Sequence, residues 1–258
     1  MPLRRCSSLT DTPRDLIETI ADIPSTNGEL LARLGRGEPV AEGQWLVADR
    51  QSAGRGRAGR VWSDGYGNFM GSTVVRLRAS DPLPQTLALV AGVAVYEAVS
   101  EVCSGLEGLM LKWPNDLLVG DAKLAGILLE RQGDCVVVGI GVNLAQAPQV
   151  EGRSTASLSA LGQFIARDSF AATLAERFAD ALIRWHLGEW SVLRMQWLSR
   201  ALPTGTLVSV KDRDHGEIMG AFAGIDDDGV ALLRLANGAV HAIHAGDIEM
   251  VGSHASGG

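Results

Sequence analysis

Between Leu109 and Val142 four short apolar runs follow one another with only a few residues between them: Leu109–Pro114, Asp116–Val119, Lys123–Glu130 and Asp134–Val142. Breaks this short leave no room for a crossover helix, so each run must turn back beside the one before it, which predicts an antiparallel meander. Gly120-Asp121 sits where a hairpin tip belongs, and Pro114 ends the first run because proline has no amide hydrogen for a ladder. A chain with this segment at its centre is built on a sheet.

The flanks supply the rest. Trp45-Leu46-Val47-Ala48 and Asn68 to Leu77 read as further strands. Gly28 to Leu34 reads as a helix capped by Ser25 or Thr26 and ended by Gly35 or Gly37. Pro84 to Val102 is an apolar helix, and residues 169–200 form a long one, with Phe170, Leu174, Phe178, Leu182 and Trp185 at helical spacing. Pro13 stands where it opens a helix through Ile20. Pro203-Thr204-Gly205 then breaks the pattern, and four short strands follow it: Thr206–Val210, Glu217–Ile225, Val230–Leu235 and Ala239–His244. The expected fold class is α+β. Its parts are a lead-in at 1–20, a main domain with a mixed or antiparallel sheet at 21–202, and a small barrel-like β domain with a flexible tail at 203–258.

At 258 residues and 46% hydrophobic content, the chain buries roughly three quarters of its extended surface and needs no disulfide staple. Fibrous and disordered classes are excluded. The apolar stretch Pro82 to Tyr96 stops at Glu97, which fits a buried helix and no membrane span. The opening residues MPLRRCSSLTDTPRDL carry positive charge without an apolar stretch behind it, unlike a signal peptide. Cys6, Cys103 and Cys135 are odd in number and lack paired spacing, which points to a reducing cytoplasm and away from zinc. The net charge of −7 argues against a general polyanion binder.

Against that acidic background the cations are unevenly placed. Arg50, Arg55, Arg57 and Arg60 share eleven residues with no acid among them, and of the three lysines two, Lys112 and Lys123, fall inside the meander. Gly54-x-Gly56-x-x-Gly59 has the letters of a dinucleotide fingerprint, yet arginines fill the spaces and the next element reads as a strand. The P-loop pattern is absent. What the segment offers is glycine freedom and guanidinium groups that grip phosphate or carboxylate in a fork. The plainer reading is a solvated basic loop touching nucleic acid or nothing.

A second set adds weight. Lys112-Trp113-Pro114-Asn115-Asp116 precedes Lys123-Leu124-Ala125-Gly126-Ile127-Leu128-Leu129-Glu130, and Gly139-Ile140-Gly141-Val142-Asn143-Leu144 follows. An ammonium among strands is costly unless an anion meets it. Asn115 and Asp116 offer hard oxygens of the kind Mg²⁺ uses beside phosphates, and Gly126 and Gly141 allow close approach. One at a time, Trp113-Pro114 reads as core and strand end, and Asn115-Asp116 as a turn. Together with the arginine loop they converge on phosphate.

Ser25-Thr26-Asn27, the run Gln51 to Arg60 (QSAGRGRAGR), KWPND, KLAGILLE and GIGVNL occur here in the order found in biotin–protein ligases, and the chain resembles that family over about residues 20–190. The resemblance implies a biotin/lipoate-ligase sheet domain and a C-terminal SH3-like β-barrel. It also implies a two-step reaction: biotin and ATP give biotinyl-5′-AMP, and a lysine of a biotin carboxyl carrier domain then takes the biotin. In that scheme Ser25, Thr26, Asn27 and Gln51 line the biotin site, while Arg55, Gly56 and Arg57 wrap its tail and the α-phosphate. Arg60 faces pyrophosphate, Lys112 the β- and γ-phosphates, and Asn143 the adenine or ribose. Asn115 meets the Mg²⁺ carried by ATP, and Asp116 acts electrostatically or through the metal's waters. Lys123 sits on the reacting carboxylate and α-phosphate, and with Arg57 and Lys112 makes the catalytic set. The residues before Ser25 leave no room for the helix-turn-helix of some bacterial members, so the resemblance is to the monofunctional class, monomer or homodimer, with no nucleic-acid partner. Ala58 stands where some relatives carry another cation.

Two other readings compete. A lipoate–protein ligase shares the fold and the adenylation logic, but its substrate has no ureido group for the Ser25-Thr26-Asn27 set. A nucleic-acid binder using the Arg50–Arg60 loop has only Trp62 and Tyr66 for stacking. The histidines at 186, 215, 241, 244 and 254 show no metal spacing and read as surface or barrel residues, and Trp185, Trp190 and Trp197 read as core.

Overall fold

The computed structural model describes residues 16–63, 65–212 and 216–251. It opens with a strand–helix–strand unit: β1 (Ile17–Ile23), α1 (Thr26–Gly35) and β2 (Trp45–Gln51), with β1 and β2 parallel. Next come β3 (Phe69–Arg76), α2 (Leu87–Val102), β4 (Leu109–Lys112), β5 (Asp116–Val119), β6 (Ala122–Gln132) and β7 (Cys135–Val142). Two helices, α3 (Arg167–His186) and α4 (Trp190–Ser199), lead to β8 (Leu207–Asp212), β9 (Gly216–Ile225), β10 (Ala231–Arg234), β11 (Val240–Ile243) and β12 (Ile248–Met250). The first sheet has seven strands in the order β1-β2-β3-β7-β6-β5-β4, and the second has five in the order β11-β10-β9-β8-β12. Every pairing after β1–β2 is antiparallel, so the meander expected from Leu109 to Val142 is β4 to β7.

The large sheet is covered on both faces, and β7 shows how its alternation sorts them. Val136, Val138, Ile140 and Val142 join the main core with α2 and α3, while Cys135 and Val137 join a smaller core with Leu30, Leu46 and Val74 under α1. In the main core Trp45 packs edge-on against Phe69 and Phe178. Burying each such phenyl ring contributes roughly 1.5–3 kcal/mol. The apolar helix read at Pro84–Val102 is α2 with a short 3₁₀ turn before it, and ten of its residues are buried between sheet and helices.

Four expectations change. Residues 17–20 are strand, not helix: Ile17, Thr19 and Ile20 are β-branched and pair with Trp45, Val47 and Ala48, so the expected boundary at 20 falls inside β1. Pro13 lies outside the described residues. The long helix over 169–200 is two helices, because Gly188 turns left-handed (φ 79°) between α3 and α4. The small domain has a fifth strand, β12, beside β8, and among the described residues no ladder joins β11 to β12. Finally, His186 is not a surface residue: its ring is buried between Asp81 (2.8 Å) and Glu42 (3.2 Å). His215 and His254 lie outside the described residues.

The small domain is fastened to the large one at the meander and at α4. Trp113, in the β4–β5 turn, is buried and donates its indole N–H to Gly229 O (3.0 Å), and Trp190 donates to Asp227 O (2.6 Å). Trp185 and Trp197 are core residues as expected, while Trp190 is half-buried at this junction.

Candidate active site

Lys112, Asp116, Gly126 and Gly141 stand opposite one another in a single row across β4, β5, β6 and β7. After Cys135 and Val137, the next β7 positions on the α1 face are Gly139 and Gly141. A Cβ on Gly139 would come within 2.1 Å of Asn27 Oδ1, and one on Gly141 within 2.3 Å of the Trp62 indole. With no side chains there, the face is hollowed into a cavity of about 500 Å³. Every site residue expected from sequence lines it: Ser25, Thr26, Asn27, Gln51, Arg55, Gly56, Arg57, Arg60, Lys112, Asn115, Asp116, Lys123 and Asn143.

One end of the cavity is polar and neutral. Ser25 caps α1, its hydroxyl accepting from Gly28 N (3.2 Å), so the first turn is held where the chain leaves β1. Thr26 N donates to Gln51 Oε1 (2.7 Å), Thr26 Oγ1 and Ser72 Oγ lie 2.6 Å apart, and Ser72 donates to Asn27 Oδ1 (2.5 Å). Each hydroxyl has one proton. With Ser72 donating to Asn27, the one proton of the Thr26 hydroxyl has two acceptors within reach, Ser72 Oγ and Gln51 Oε1 (3.2 Å), and the amide of Asn27 points its Nδ2 away, to Glu130 Oε2 (2.9 Å). Ser72, Asn27 and Glu130 thus form one directed chain of hydrogen bonds from β3 through α1 to β6.

The other end is charged. Lys123 Nζ lies 2.5 Å from Asp116 Oδ1 and Lys112 Nζ 3.4 Å from Oδ2. Burial pushes the Asp116 carboxyl up, but Lys123 and then Lys112 outweigh it and hold the group below the usual carboxylate range. Two cations around one anion leave a surplus positive charge facing the cavity. The Trp62 ring lies 5.8 Å from Lys123 Nζ, and its own buried Nε1 has no partner among the described residues.

The arginine loop spans the two ends, and its three guanidinium groups go to two carboxylates, Glu130 and Asp247. Arg55 pairs with Glu130 Oε2 (3.1 Å). Arg57 donates to Asn115 Oδ1 and Asp247 Oδ1 (3.0 Å each) and to Gly246 O (3.2 Å). Arg60 donates to Asp247 Oδ2 and to Arg57 O. Burial lowers Arg57 from the ordinary arginine value, with Asp247 and Asp116 opposing it. Between Arg57 and Gly59, Ala58 takes the left-handed conformation (φ 53°, ψ 35°), at a cost of order 1 kcal/mol.

Two expected residues spend their side chains on the chain itself. Asn143 Nδ2 donates to Ala156 O (3.1 Å) and Lys123 O (3.4 Å), tying the segment after β7 to β6. Asn115 Nδ2 donates to Ile127 O (2.6 Å), which aims its oxygen at Arg57. Among the described residues no group of three or more His, Cys, Asp or Glu is able to hold a metal, and both Asp116 oxygens serve lysines. The donor set does not fit a resident ion: Asn115 Oδ1 is a single neutral oxygen that already accepts from Arg57.

Ser72, Glu130 and Asp247 escaped the sequence reading. Glu130 closes the KLAGILLE segment and Ser72 sits on the same sheet face as Val74, so alternation held a signal for both. Asp247 carried none, since it lies in the small domain, 190 positions from Arg57.

A mixed seven-stranded sheet carrying one cavity, neutral and hydrogen-bonding at one end and cationic at the other under an arginine loop, defines a ligase of the kind that activates a small acid with a nucleotide. Residues 21–143 match the Biotin/lipoate A/B protein ligase family, and residues 205–251 the Biotin protein ligase C terminal domain. The chain is 37% identical over 226 residues to the biotin--[acetyl-CoA-carboxylase] ligase of Paracoccus denitrificans, covering 83% of this chain and 92% of that one. To the enzyme of the same name from Mycobacterium tuberculosis it is 33% identical over 237 residues, covering 90% and 88%. Its fold matches biotin protein ligase from Aquifex aeolicus, solved in complex with biotin and ATP, with TM-score 0.78 and 28% identity over 90% of this chain and 97% of that chain. The chain belongs to the biotin protein ligase family.

Proposed function

We propose that this chain activates biotin with magnesium-ATP and transfers it to a lysine of a carboxylase's biotin carrier domain. In the first step a biotin carboxylate oxygen attacks the α-phosphorus, the bond to the β-phosphate oxygen breaks, and pyrophosphate leaves. In the second the carrier amine attacks the acyl carbon, AMP departs with the bonding pair, and the amine gives up a proton. The substrates bring both nucleophiles, so the protein's work is alignment and charge neutralisation.

The observation that carries this reading is the pairing of the two ends. The polar set sits over Gly139 and the charged row runs through Gly141, two residues along β7 and so about 7 Å apart. Thr26, Asn27 and Gln51 meet the ureido ring, where a ligand lacking those polar atoms leaves buried groups unpaired and is rejected. Lys123, at the charged end beside Gly126, receives the charge that develops as carboxylate and α-phosphate join. Lys112, Arg57 and Arg60 draw off the charge on pyrophosphate, and Arg55 with Gly56 covers the acyl tail. Asn115 Oδ1 would be the protein oxygen to meet a magnesium ion carried by the nucleotide, which would neutralise phosphate charge, once Arg57 turns from it to phosphate, and Asp116 acts by setting the two lysines. Asn143 shapes the wall on the nucleoside side. The buried free thiols of Cys103 and Cys135, both pushed up by burial, favour a reducing cytoplasm as the place of work.

Pyrophosphate release from magnesium-ATP in the presence of biotin, lipoate or neither tests this directly. Release with biotin alone is expected. Release with lipoate alone overturns the reading of the polar end, and release with neither overturns the adenylation chemistry.

A further inference from the structure

Glu130 ends the KLAGILLE segment, and the reaction leaves it without a role. We propose that Glu130 is a positioning residue that pins the first arginine of the loop to the polar end of the cavity and so couples acid binding to loop closure. The coupling half rests on the function proposed above; the pinning half does not.

On β6 Glu130 pairs with Val137 of β7, and its carboxylate stands beside α1. A single oxygen, Oε2, accepts from Asn27 Nδ2 at 2.9 Å and pairs with Arg55 Nη2 at 3.1 Å. Arg55 lies against the first turn of α1, where a Cβ on Gly28 would come within 3.4 Å of its Nη2. One atom therefore serves a member of the buried polar set and a member of the arginine loop. The far side of the loop is held separately, by Asp247 on Arg57 and Arg60. The side chains of Arg55 and Glu130 are 43% and 25% exposed. A pair this open adds little to the stability of the whole fold. Its loss is read instead in local opening of the loop, a cheaper event than global unfolding. An acid seated on Asn27 holds that amide toward Oε2, which keeps the carboxylate in place for Arg55. By linkage, a closed loop then favours the acid to the same degree.

Trypsin supplies the measurement, because the loop carries its own cleavage sites at Arg55, Arg57 and Arg60. Under native conditions the rate of cutting follows the population of the open form. In the unliganded full chain, Glu130→Ala is expected to raise cleavage within 55–60 by about fivefold or more, with little change in unfolding temperature. Arg55→Ala leaves the sites at Arg57 and Arg60 and is expected to raise their cleavage equally, while the double variant is cut no faster than the faster single one. Glu130→Gln keeps an oxygen for Asn27 but loses the charge, and is expected to fall between wild type and Glu130→Ala; it carries the test if Glu130→Ala does not fold. Wild-type cleavage in both Glu130 variants, or rates that multiply in the double variant, overturns the pinning. Biotin is expected to slow loop cleavage in the wild type and to do so far less in Glu130→Ala. Biotin that binds the wild type by calorimetry yet gives no protection overturns the coupling. Biotin that does not bind at all overturns the assigned substrate, and the unliganded rates still decide whether Glu130 pins the loop.

Discussion

Arg57 and Asp247 stand 190 positions apart in the chain and meet at 3.0 Å over the mouth of the cavity. Asp247 belongs to the small domain, and its second oxygen takes Arg60, so one carboxylate docks two of the loop's guanidinium groups. The small domain thereby becomes part of the cavity wall, with Asp247, Glu249 and Met250 lining it. Asp247→Ala is expected to raise the KM for ATP about tenfold, a loss of roughly 1.4 kcal/mol, while biotin affinity changes much less. Steady-state kinetics in each substrate decide it; a lower KM for ATP would show that Asp247 competes with phosphate instead of docking the loop.

In the proposed reaction Lys123 is the cation shared by the acid and the nucleotide. Lys123→Ala is expected to cut single-turnover pyrophosphate release by about 10²–10³-fold, the usual cost of deleting one preorganised charge donor. The unfolding transition should persist, since Lys123 is a quarter exposed and not part of the core. A wild-type burst of pyrophosphate in this variant removes Lys123 from the chemistry.

Asp116 is held below the ordinary carboxylate range although burial alone would raise it, because Lys123 and Lys112 lie on its two oxygens. A group depressed in the fold stabilises it above the unfolded value and loses that contribution as pH falls through the folded value. Between neutral pH and about pH 4 the contribution is therefore level, and below that it fades. Asp116→Asn leaves two ammonium groups side by side in a half-closed site and is expected to cost roughly 3 kcal/mol at pH 7. Urea midpoints along a pH series check this. The gap between wild type and variant should close only below about pH 4; a gap that closes near pH 6 contradicts the assignment.

The cavity was legible because its residues sit in contiguous motifs, and a motif keeps its neighbours whatever the sheet does. The meander was legible because its breaks are short. What escaped depended on partners distant in sequence. Ile17 to Ile20 reads as either period until β2 is known to lie beside it, and the apolar spacing on either side of Gly188 runs on as though the helix were unbroken. His186 shows no sign of burial in its local sequence, since Asp81 and Glu42 come from elsewhere in the chain. Asp247 is the extreme instance, one acid in a small domain whose strands say nothing of the arginines it meets.

Gly139 and Gly141 separate two reasons for a glycine. Neither has a left-handed backbone, so an alanine at either position meets no conformational strain. The obstacle is what lies above them, and the two neighbours differ in freedom. Asn27 sits in the first turn of α1 with its oxygen on Ser72 and its nitrogen on Glu130, so the 2.1 Å approach of a Cβ at position 139 is relieved only by breaking that set. Trp62 is on the arginine loop and can swing away from a Cβ at position 141. Gly139→Ala is therefore expected to cost about 1–3 kcal/mol in stability, at about 2–4 °C in melting temperature per kcal/mol for a chain of this size, and to weaken biotin binding. Gly141→Ala is expected to melt near the wild type, yet to lose adenylation rate as the indole leaves its place over Lys123. Thermal unfolding and biotin titration of both variants make the comparison. Equal melting temperatures would mean that Asn27 yields as readily as Trp62, and that the polar end is not rigid before the ligand arrives.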